Sequence, residues 1–487
     1  MRISDIVSIG KEYAVLGIGC TIFIMAVFLL GYVIIYRKQL KGTKKVKPVT
    51  LIAWGIFFVY VIVVLGATLG IRAGGMGTGI NMHLFSSYKM AWNGGLTKEC
   101  NNLVFNILMF VPLGVLLPLM LRLCRKFWCS YLAGFGFSVA IEIIQLVTKR
   151  GIFEVDDIFN NTLGCVIGYG IGMILLTIVN AIQSSRNDTV IDKTAVEHKR
   201  GKTIWIVCAQ IPLLLTVAIF AGLFMAYQKQ ELGNMNITYN YRQDMSNIHV
   251  STEKNFSENR GKSDVYQAIT GSKEDTLETA AKIFAVAGTE VDTSQNDAYK
   301  DTMVYYSMDG NYCVWVDYVG LTTWYTDYTS MDSEKQSGVS LDEVKKMLAE
   351  FLIEIPEGTE FTDNGDGTYI IKADMLLTGD VLIDGQCQCT ITKQGKIHSF
   401  HNNIITYKKY KEYEIISEKE AYEEILKGKF LEQYLYTDSK MKEKEVIIDE
   451  VSISYLLDSK GFYEPVYCFD GTCNGEDRSI CIPACAK

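Results

Sequence analysis

The sequence has few of the residues that build common metal and catalytic centres. Its 487 residues include only five histidines, and these are dispersed along the chain. No Cys-x-x-Cys pair is present, which argues against a zinc site. A P-loop and a Ser/His or Cys/His nucleophile arrangement are also missing. We therefore expect no metal, no cofactor and no nucleic-acid partner, and the sequence leaves open whether the protein catalyses any reaction.

Charge is distributed unevenly between the two halves of the chain. Residues 1–226 carry 21 basic and 10 acidic side chains, whereas residues 227–487 carry 26 and 45. The first half is therefore basic. The second half is acidic and has the composition of a soluble domain.

Six apolar segments of the first half are long enough to cross a bilayer, which takes about 20 helical residues. The first of them is too long for a cleavable signal peptide and lacks a small-x-small exit. The predicted spans are Tyr13–Tyr36, Val49–Ile71, Leu103–Leu121, Phe127–Val147, Thr162–Val179 and Thr203–Tyr227.

The basic connectors predict the orientation of these spans, because short cytoplasmic loops hold the excess of Lys and Arg. Three connectors are strongly basic and alternate with less basic ones: 37–47, 122–126 and 180–202. Placing them inside puts the N-terminus, the connectors 72–101 and 149–160, and residues 228–487 outside. The sequence thus predicts a multi-pass plasma-membrane protein with its N-terminus and its C-terminal domain outside the cell.

A polar cluster surrounds the connector between the fourth and fifth spans. On a helix, Ser138, Glu142 and Gln145 share one face, and an intramembrane carboxylate is a candidate functional residue. Small residues then recur at every fourth position in the fifth span, a spacing that lets another helix approach closely. The candidate site residues are Asn106, Glu142, Gln145, Arg150, Asp156, Asp157 and Asn161.

Three interpretations of the cluster remain open from the residues alone. Asp156 and Asp157 suit a helix N-terminus and could pair with Arg150, which would make the cluster structural. Glu142 or Asp157 could instead act as a general base while Arg150 holds a phosphate or carboxylate. The third possibility is a binding or occlusion site for an amphiphilic molecule, with no bond made or broken.

The same residues resemble the VanZ-like family of bacterial membrane proteins. The family pattern E-x-x-Q, Arg, D-x-x-x-N-T-x-G and the pattern N-x-x-x-F-x-P-L-G both occur in order, and the resemblance covers about residues 10–182. It implies a role in the cell envelope and altered susceptibility to teicoplanin-type lipoglycopeptides. Membrane lipids or a lipid-linked cell-wall component are the candidate partners. The matching residues are Asn106, Phe110, Pro112, Leu113, Gly114, Glu142, Gln145, Arg150, Asp157, Asn161, Thr162 and Gly164.

The second half is expected to form an α+β domain with antiparallel sheets. Ser340 with Glu343, and Ser417 with Glu420, are capping boxes that predict helix starts. Residues 309–311 and 458–460 are predicted hairpin turns. About residues 390–484 resemble extracytoplasmic regulatory domains of the YycI type and, more loosely, PepSY-like modules. That resemblance implies a binding or inhibitory module with a protein partner, which is the alternative to the VanZ-like function.

These observations predict a membrane all-α part with six transmembrane helices, followed by a soluble extracytoplasmic α+β domain. The expected divisions are a five-span VanZ-like domain (1–182), a cytoplasmic basic linker (183–202), the sixth span (203–227), a stalk (228–276) and the α+β domain (277–487). Disulfides are expected within the C-terminal cysteine group, and their connectivity is left open. That group consists of Cys468, Cys473, Cys481 and Cys485. A turn is predicted at residues 470–472, which could bring Cys468 and Cys473 close together.

Overall fold

The chain divides into two compact units, Met1–Gln230 and Glu231–Lys487. The computed structural model describes residues 3–43, 46, 48–70, 79–95, 98–185, 204–299, 301–435 and 443–486. Most of the predicted linker 183–202 therefore lies outside the described residues.

Unit 1 is helical and, within the described residues, contains six helices long and apolar enough to cross a membrane. This confirms the predicted number of spans. Helices α1 and α2 continue as π-helical turns at Tyr32–Gln39 and Gly66–Gly70, and α3 is a short helix between the second and third spans. The helices are α1 Ile3–Gly31, α2 Pro48–Leu65, α3 Ser86–Asn93, α4 Lys98–Met120, α5 Phe127–Val147, α6 Val155–Ser185 and α7 Ile211–Lys229. A 3-10 turn, Leu123–Arg125, joins α4 to α5.

Helix α6 begins at Val155, seven residues before the predicted start of the fifth span. Apolarity marks only the part of a helix that crosses hydrocarbon, so it misses a polar first turn. The acidic residues of that turn, Asp156 and Asp157, favour the positive end of the helix dipole. Two short strands, β1 (Ile80–Asn81) and β2 (Phe153–Glu154), pair in parallel beside this helix start.

Helices α4 and α6 are in direct backbone contact within unit 1. A Cβ atom added at Gly164 would lie 1.9 Å from the Ile107 carbonyl oxygen, and one at Gly168 would lie 2.0 Å from that of Val111. From the other side, a Cβ at Gly114 would lie 2.0 Å from the Cys165 carbonyl oxygen. The predicted small-residue stripe therefore lies against α4, and van der Waals contact between the backbones replaces side-chain packing.

Unit 2 is a continuous, mostly antiparallel sheet of fourteen described strands, in agreement with the predicted fold class. The strand order is β3-β14-β15-β4-β13-β11-β12-β8-β7-β6-β5, with β10 and β9 continuing from β11, and with β16 beside β15. The strands are β3 Ile248–Thr252, β4 Gly261–Ala268, β5 Val291–Ala298, β6 Thr302–Ser307, β7 Tyr312–Asp317, β8 Thr323–Asp327, β9 Glu360–Asp363, β10 Thr368–Thr378, β11 Val381–Ile391, β12 Ile397–Asn402, β13 Ile405–Ile415, β14 Lys444–Leu457, β15 Phe462–Cys473 and β16 Glu476–Pro483.

Three helices cover two separate hydrophobic cores of unit 2. Helices α8 (Lys273–Val286) and α9 (Leu341–Glu350) contribute to the larger core, and α10 (Glu418–Leu426) contributes to the smaller one. Each helix begins with a capping box, in which a serine and an acidic side chain satisfy each other's backbone N–H groups. The boxes of α9 and α10 are those predicted from the sequence. The box of α8, Ser272 with Asp275, was not predicted.

The segment 228–276 was expected to be an unstructured stalk, and the structure corrects this expectation. It contains β3 and β4, and β4 lies between β13 and β15 in the sheet. The polar composition that suggested a stalk reflects half-exposed strands, in which alternate side chains face solvent. The boundary of unit 2 accordingly falls at Glu231 and not near residue 277.

Two cysteines of the C-terminal group form a disulfide, Cys468–Cys481. They are directly opposite each other on β15 and β16, which explains the pairing. Cys473 also lies on β15, because this strand continues through residues 470–472, where a turn had been expected. The hairpin turn instead contains Asn474 and Gly475, which both have positive φ.

We expect Gly168→Ala to destabilise unit 1, because its methyl group would collide with the Val111 carbonyl oxygen. Overpacking of this kind costs about 1–3 kcal/mol. The thermal melting temperature of the detergent-solubilised protein measures the effect. Gly136→Ala is the matched control, since a Cβ there meets nothing within 4 Å. Equal melting temperatures for the two variants would contradict the proposed backbone contact.

Candidate functional site

The predicted polar residues gather at one end of unit 1, where α2 and α5 end and α4 and α6 begin. The Gln145 amide donates to the Thr68 carbonyl oxygen at the end of α2, over 3.0 Å. Across the bundle, the Asn106 amide donates to the Asp157 carboxylate over 2.5 Å. The structure thus brings together side chains of three helices, α4, α5 and α6, and backbone carbonyl groups at the end of a fourth.

Asp156 ties the short helix α3 to α6. Its carboxylate, only 1% exposed, accepts hydrogen bonds from the backbone N–H groups of Phe85 (2.5 Å) and Ser87 (2.8 Å) and, over 3.4 Å, from the Ser86 hydroxyl. The residue before α3 provides no side-chain cap. Asp156, which is distant in the sequence, instead accepts hydrogen bonds from the N–H groups at the start of this helix. The structural interpretation of Asp156 is therefore favoured.

A second contact between α3 and α6 joins Tyr88 to Asn160. The Tyr88 hydroxyl donates to Oδ1 of the Asn160 side-chain amide. Burial, followed by the nearby charge of Asp156, raises the pKa of Tyr88 to about 12. Tyr88 consequently remains a neutral donor over the physiological pH range.

Glu142 is 1% exposed, more than a turn inside α5. Its carboxylate accepts a hydrogen bond from the backbone N–H of Glu154, in β2, over 3.0 Å. Ser138, one turn earlier on the same face of α5, accepts a hydrogen bond from the Asn161 amide over 2.9 Å. The face predicted for α5 is therefore the one that meets the start of α6.

Arg150 behaves differently from the other members of the cluster. Its side chain is exposed, and its guanidinium donates to the Leu69 carbonyl oxygen over 2.7 Å. Among the described residues, neither Asp156 nor Asp157 forms an ion pair with it, so the pairing considered in the sequence analysis does not occur. A guanidinium has five N–H donors, so several remain for an anionic ligand.

Four buried polar atoms, two in the cluster and two on residues adjacent to Asn161, have no hydrogen-bond partner among the described residues. Leaving such an atom unpaired costs about 1–3 kcal/mol, and most buried polar atoms in proteins are paired with protein or water. Their concentration at this end of α5 and α6 therefore suggests a place for water or for a polar ligand group. They are Gln145 Oε1, Asn160 Nδ2, Asn161 Oδ1 and Thr162 Oγ1.

The arrangement is better suited to binding than to proton transfer. Glu142 already accepts a hydrogen bond from the Glu154 N–H group, and Asp157 accepts one from the Asn106 amide, whereas a general base must reach the proton that it removes. Within the described residues, no three His, Cys, Asp or Glu side chains are grouped so that they could hold a metal ion. What the site offers is neutral hydrogen-bonding groups beside an exposed guanidinium.

Several residues of the site were not predicted from the sequence. Asn160 and Tyr88 contact each other through tertiary packing, and Thr68 and Leu69 contribute only backbone carbonyl groups. Backbone groups carry no side-chain signal in a sequence. Asn160 could have been noticed as the neighbour of Asn161 in the first turns of α6.

A family model matches part of unit 1. Residues 23–176 match the family model VanZ/LLP1, a range that contains all seven predicted site residues. No curated protein matches the chain. Among solved structures, the chain is similar to the Bacillus megaterium YpeB C-terminal domain, with 13% identity, a TM-score of 0.21, and coverage of 45% of this chain and 94% of that chain.

We expect Asp156→Ala to release α3 from α6, because the N–H groups of Phe85 and Ser87 lose their charged acceptor. Hydrogen bonds to charged groups are worth about 1.5–3 kcal/mol each. Limited trypsin digestion in detergent should then show faster cleavage after Lys89, within α3. Asp156→Asn retains one acceptor oxygen and should give an intermediate rate. Unchanged cleavage in both variants would show that Asp156 does not hold α3.

Proposed function

We propose, on the basis of the VanZ/LLP1 match of residues 23–176, that this is a VanZ-like multi-pass protein of the bacterial cell envelope. In this proposal the polar cluster faces the exterior and binds the polar head group of an amphiphilic envelope molecule. By binding that molecule and altering access to it, the protein alters susceptibility to teicoplanin-type lipoglycopeptides.

The set of four unpartnered buried atoms carries this proposal. A site built only for stability would pair these atoms within the protein, because each unpaired atom reduces stability. Here the Oδ1 atom of Asn161 has no partner among the described residues, although its amide nitrogen donates to the Ser138 hydroxyl. A ligand hydroxyl or amide group would satisfy such atoms, as would ordered water.

The position of Arg150 supports the inference that the ligand carries an anionic group. It is exposed beside the buried set, and its remaining N–H donors match the geometry of a phosphate or carboxylate. An arginine that only stabilised the helix ends would be expected to pair with the nearby carboxylates, and it does not pair with Asp156 or Asp157. The proposed ligand therefore combines an anionic group with neutral polar groups.

The distribution of basic connectors supports an outward-facing cluster. The turn between α4 and α5 contains Arg122, Arg125 and Lys126, and it follows the end of α4 that is opposite to the cluster. If these basic residues are cytoplasmic, the cluster lies at the outer surface. Because six spans return the chain to its starting side, residues 231–487 would then lie outside as well.

We expect Arg150→Ala to abolish protection against teicoplanin in a sensitive host that expresses the full chain. The loss of a charge-assisted contact of about 1.5–3 kcal/mol lowers affinity about tenfold or more. The minimum inhibitory concentration is the measurement, with membrane levels verified by blotting. Arg122→Ala is the matched control, since it removes an exposed arginine at the opposite end of unit 1.

The possible outcomes separate this proposal from a regulatory role of unit 2. Protection by the wild type, by Arg122→Ala and by a 1–230 fragment, but not by Arg150→Ala, would support the cluster as the site. Protection that survives Arg150→Ala but disappears in the fragment would favour unit 2 as a partner-binding module. No protection by the wild-type chain would refute the proposed function.

A further inference from the structure

Two cysteines lie side by side in the turn between α4 and α5, at the end of unit 1 opposite to the polar cluster. The Sγ atoms of Cys124 and Cys129 are 3.3 Å apart, and neither cysteine is in a disulfide. Cys124 lies in the 3-10 turn, and Cys129 lies in the first turn of α5.

Hydrogen bonds within the turn hold the backbone positions of the two cysteines. The Cys129 N–H donates to the Lys126 carbonyl oxygen over 3.1 Å, and the Ser130 hydroxyl donates to that of Cys124 over 2.7 Å. A disulfide bond is about 2.05 Å long, so the sulfur atoms need to approach by only about 1.3 Å. Side-chain rotation within the turn can supply a movement of this size.

The two thiols differ in their accessibility. Cys124 is 4% exposed, whereas Cys129 is half-buried. Three exposed basic residues, Arg122, Arg125 and Lys126, surround the pair in sequence and would attract an anionic reagent. Cys129 is thus placed to react first, and Cys124 is placed to react second.

We propose that Cys124 and Cys129 form a redox modification site, which a low-molecular-weight disulfide converts into an intramolecular disulfide. The Cys129 thiolate attacks the reagent, forming a mixed disulfide and releasing one reagent thiol. The Cys124 thiolate then attacks the Cys129 sulfur, forming the Cys124–Cys129 bond and releasing the second reagent thiol. In total, two protein thiols are oxidised and one reagent disulfide is reduced to two thiols.

The sequence between the cysteines makes this modification directly measurable. Trypsin cleaves after Arg122, Arg125 and Lys126, so it separates the cysteines into the peptides Leu123–Arg125 and Phe127–Lys149. The full chain in detergent would be treated with glutathione disulfide, quenched with N-ethylmaleimide, digested and analysed by mass spectrometry. We expect most of the alkylated Leu123–Arg125 peptide to disappear and a linked pair of peptides, sensitive to dithiothreitol, to replace it.

Two variants test the order of the steps, and a third is the control. Cys124→Ser should accumulate a glutathione adduct on Cys129, while Cys129→Ser should leave Cys124 reduced and available for alkylation. Cys20→Ser, which removes an exposed cysteine of α1, should form the linked peptides as the wild type does. Persistent alkylation of both wild-type peptides, stable glutathione adducts without linkage, or linkage to Cys165 would each overturn the proposal.

Discussion

The close approach of α4 and α6 is the constraint on which the geometry of the polar cluster depends. Gly164 and Gly168 leave no side chain between the α6 backbone and the carbonyl groups of Ile107 and Val111. Asn106, adjacent to Ile107, is thereby brought within hydrogen-bond distance of Asp157. In a membrane, where apolar side chains gain little by leaving lipid, such backbone contact is a principal source of helix association.

The polar groups at this helix end are divided between those that the protein satisfies and those that it leaves unsatisfied. Asp156 satisfies the N-terminus of α3, and Glu142 satisfies the backbone of β2. Both carboxylates therefore accept structural hydrogen bonds, which account for their burial. Within the described part of the chain, Gln145 Oε1 and Asn161 Oδ1 have no hydrogen-bond partner. For this reason we propose binding at these atoms and at Arg150, and not at the carboxylates.

Unit 2 is built differently, as a sheet whose helices cover buried apolar residues. Three capping boxes start its helices, and two hydrophobic cores lie under those helices. Strand β4, from the segment that composition alone had suggested to be a stalk, pairs with β13 and β15. The family match ends at residue 176, so unit 2 lies outside the matched region.

The sequence alone determined the features that depend on local composition and spacing. Apolar length predicted the six spans, residues such as Ser340 with Glu343 predicted helix starts, and spacing along α5 predicted the face that contains Glu142. Features that join distant segments required the tertiary structure. Asp156 could have paired with Arg150 or capped its own helix, and only packing brought it to α3. The pairing of Cys468 with Cys481 likewise follows from strand register, which is a relation between two strands and not a property of either one.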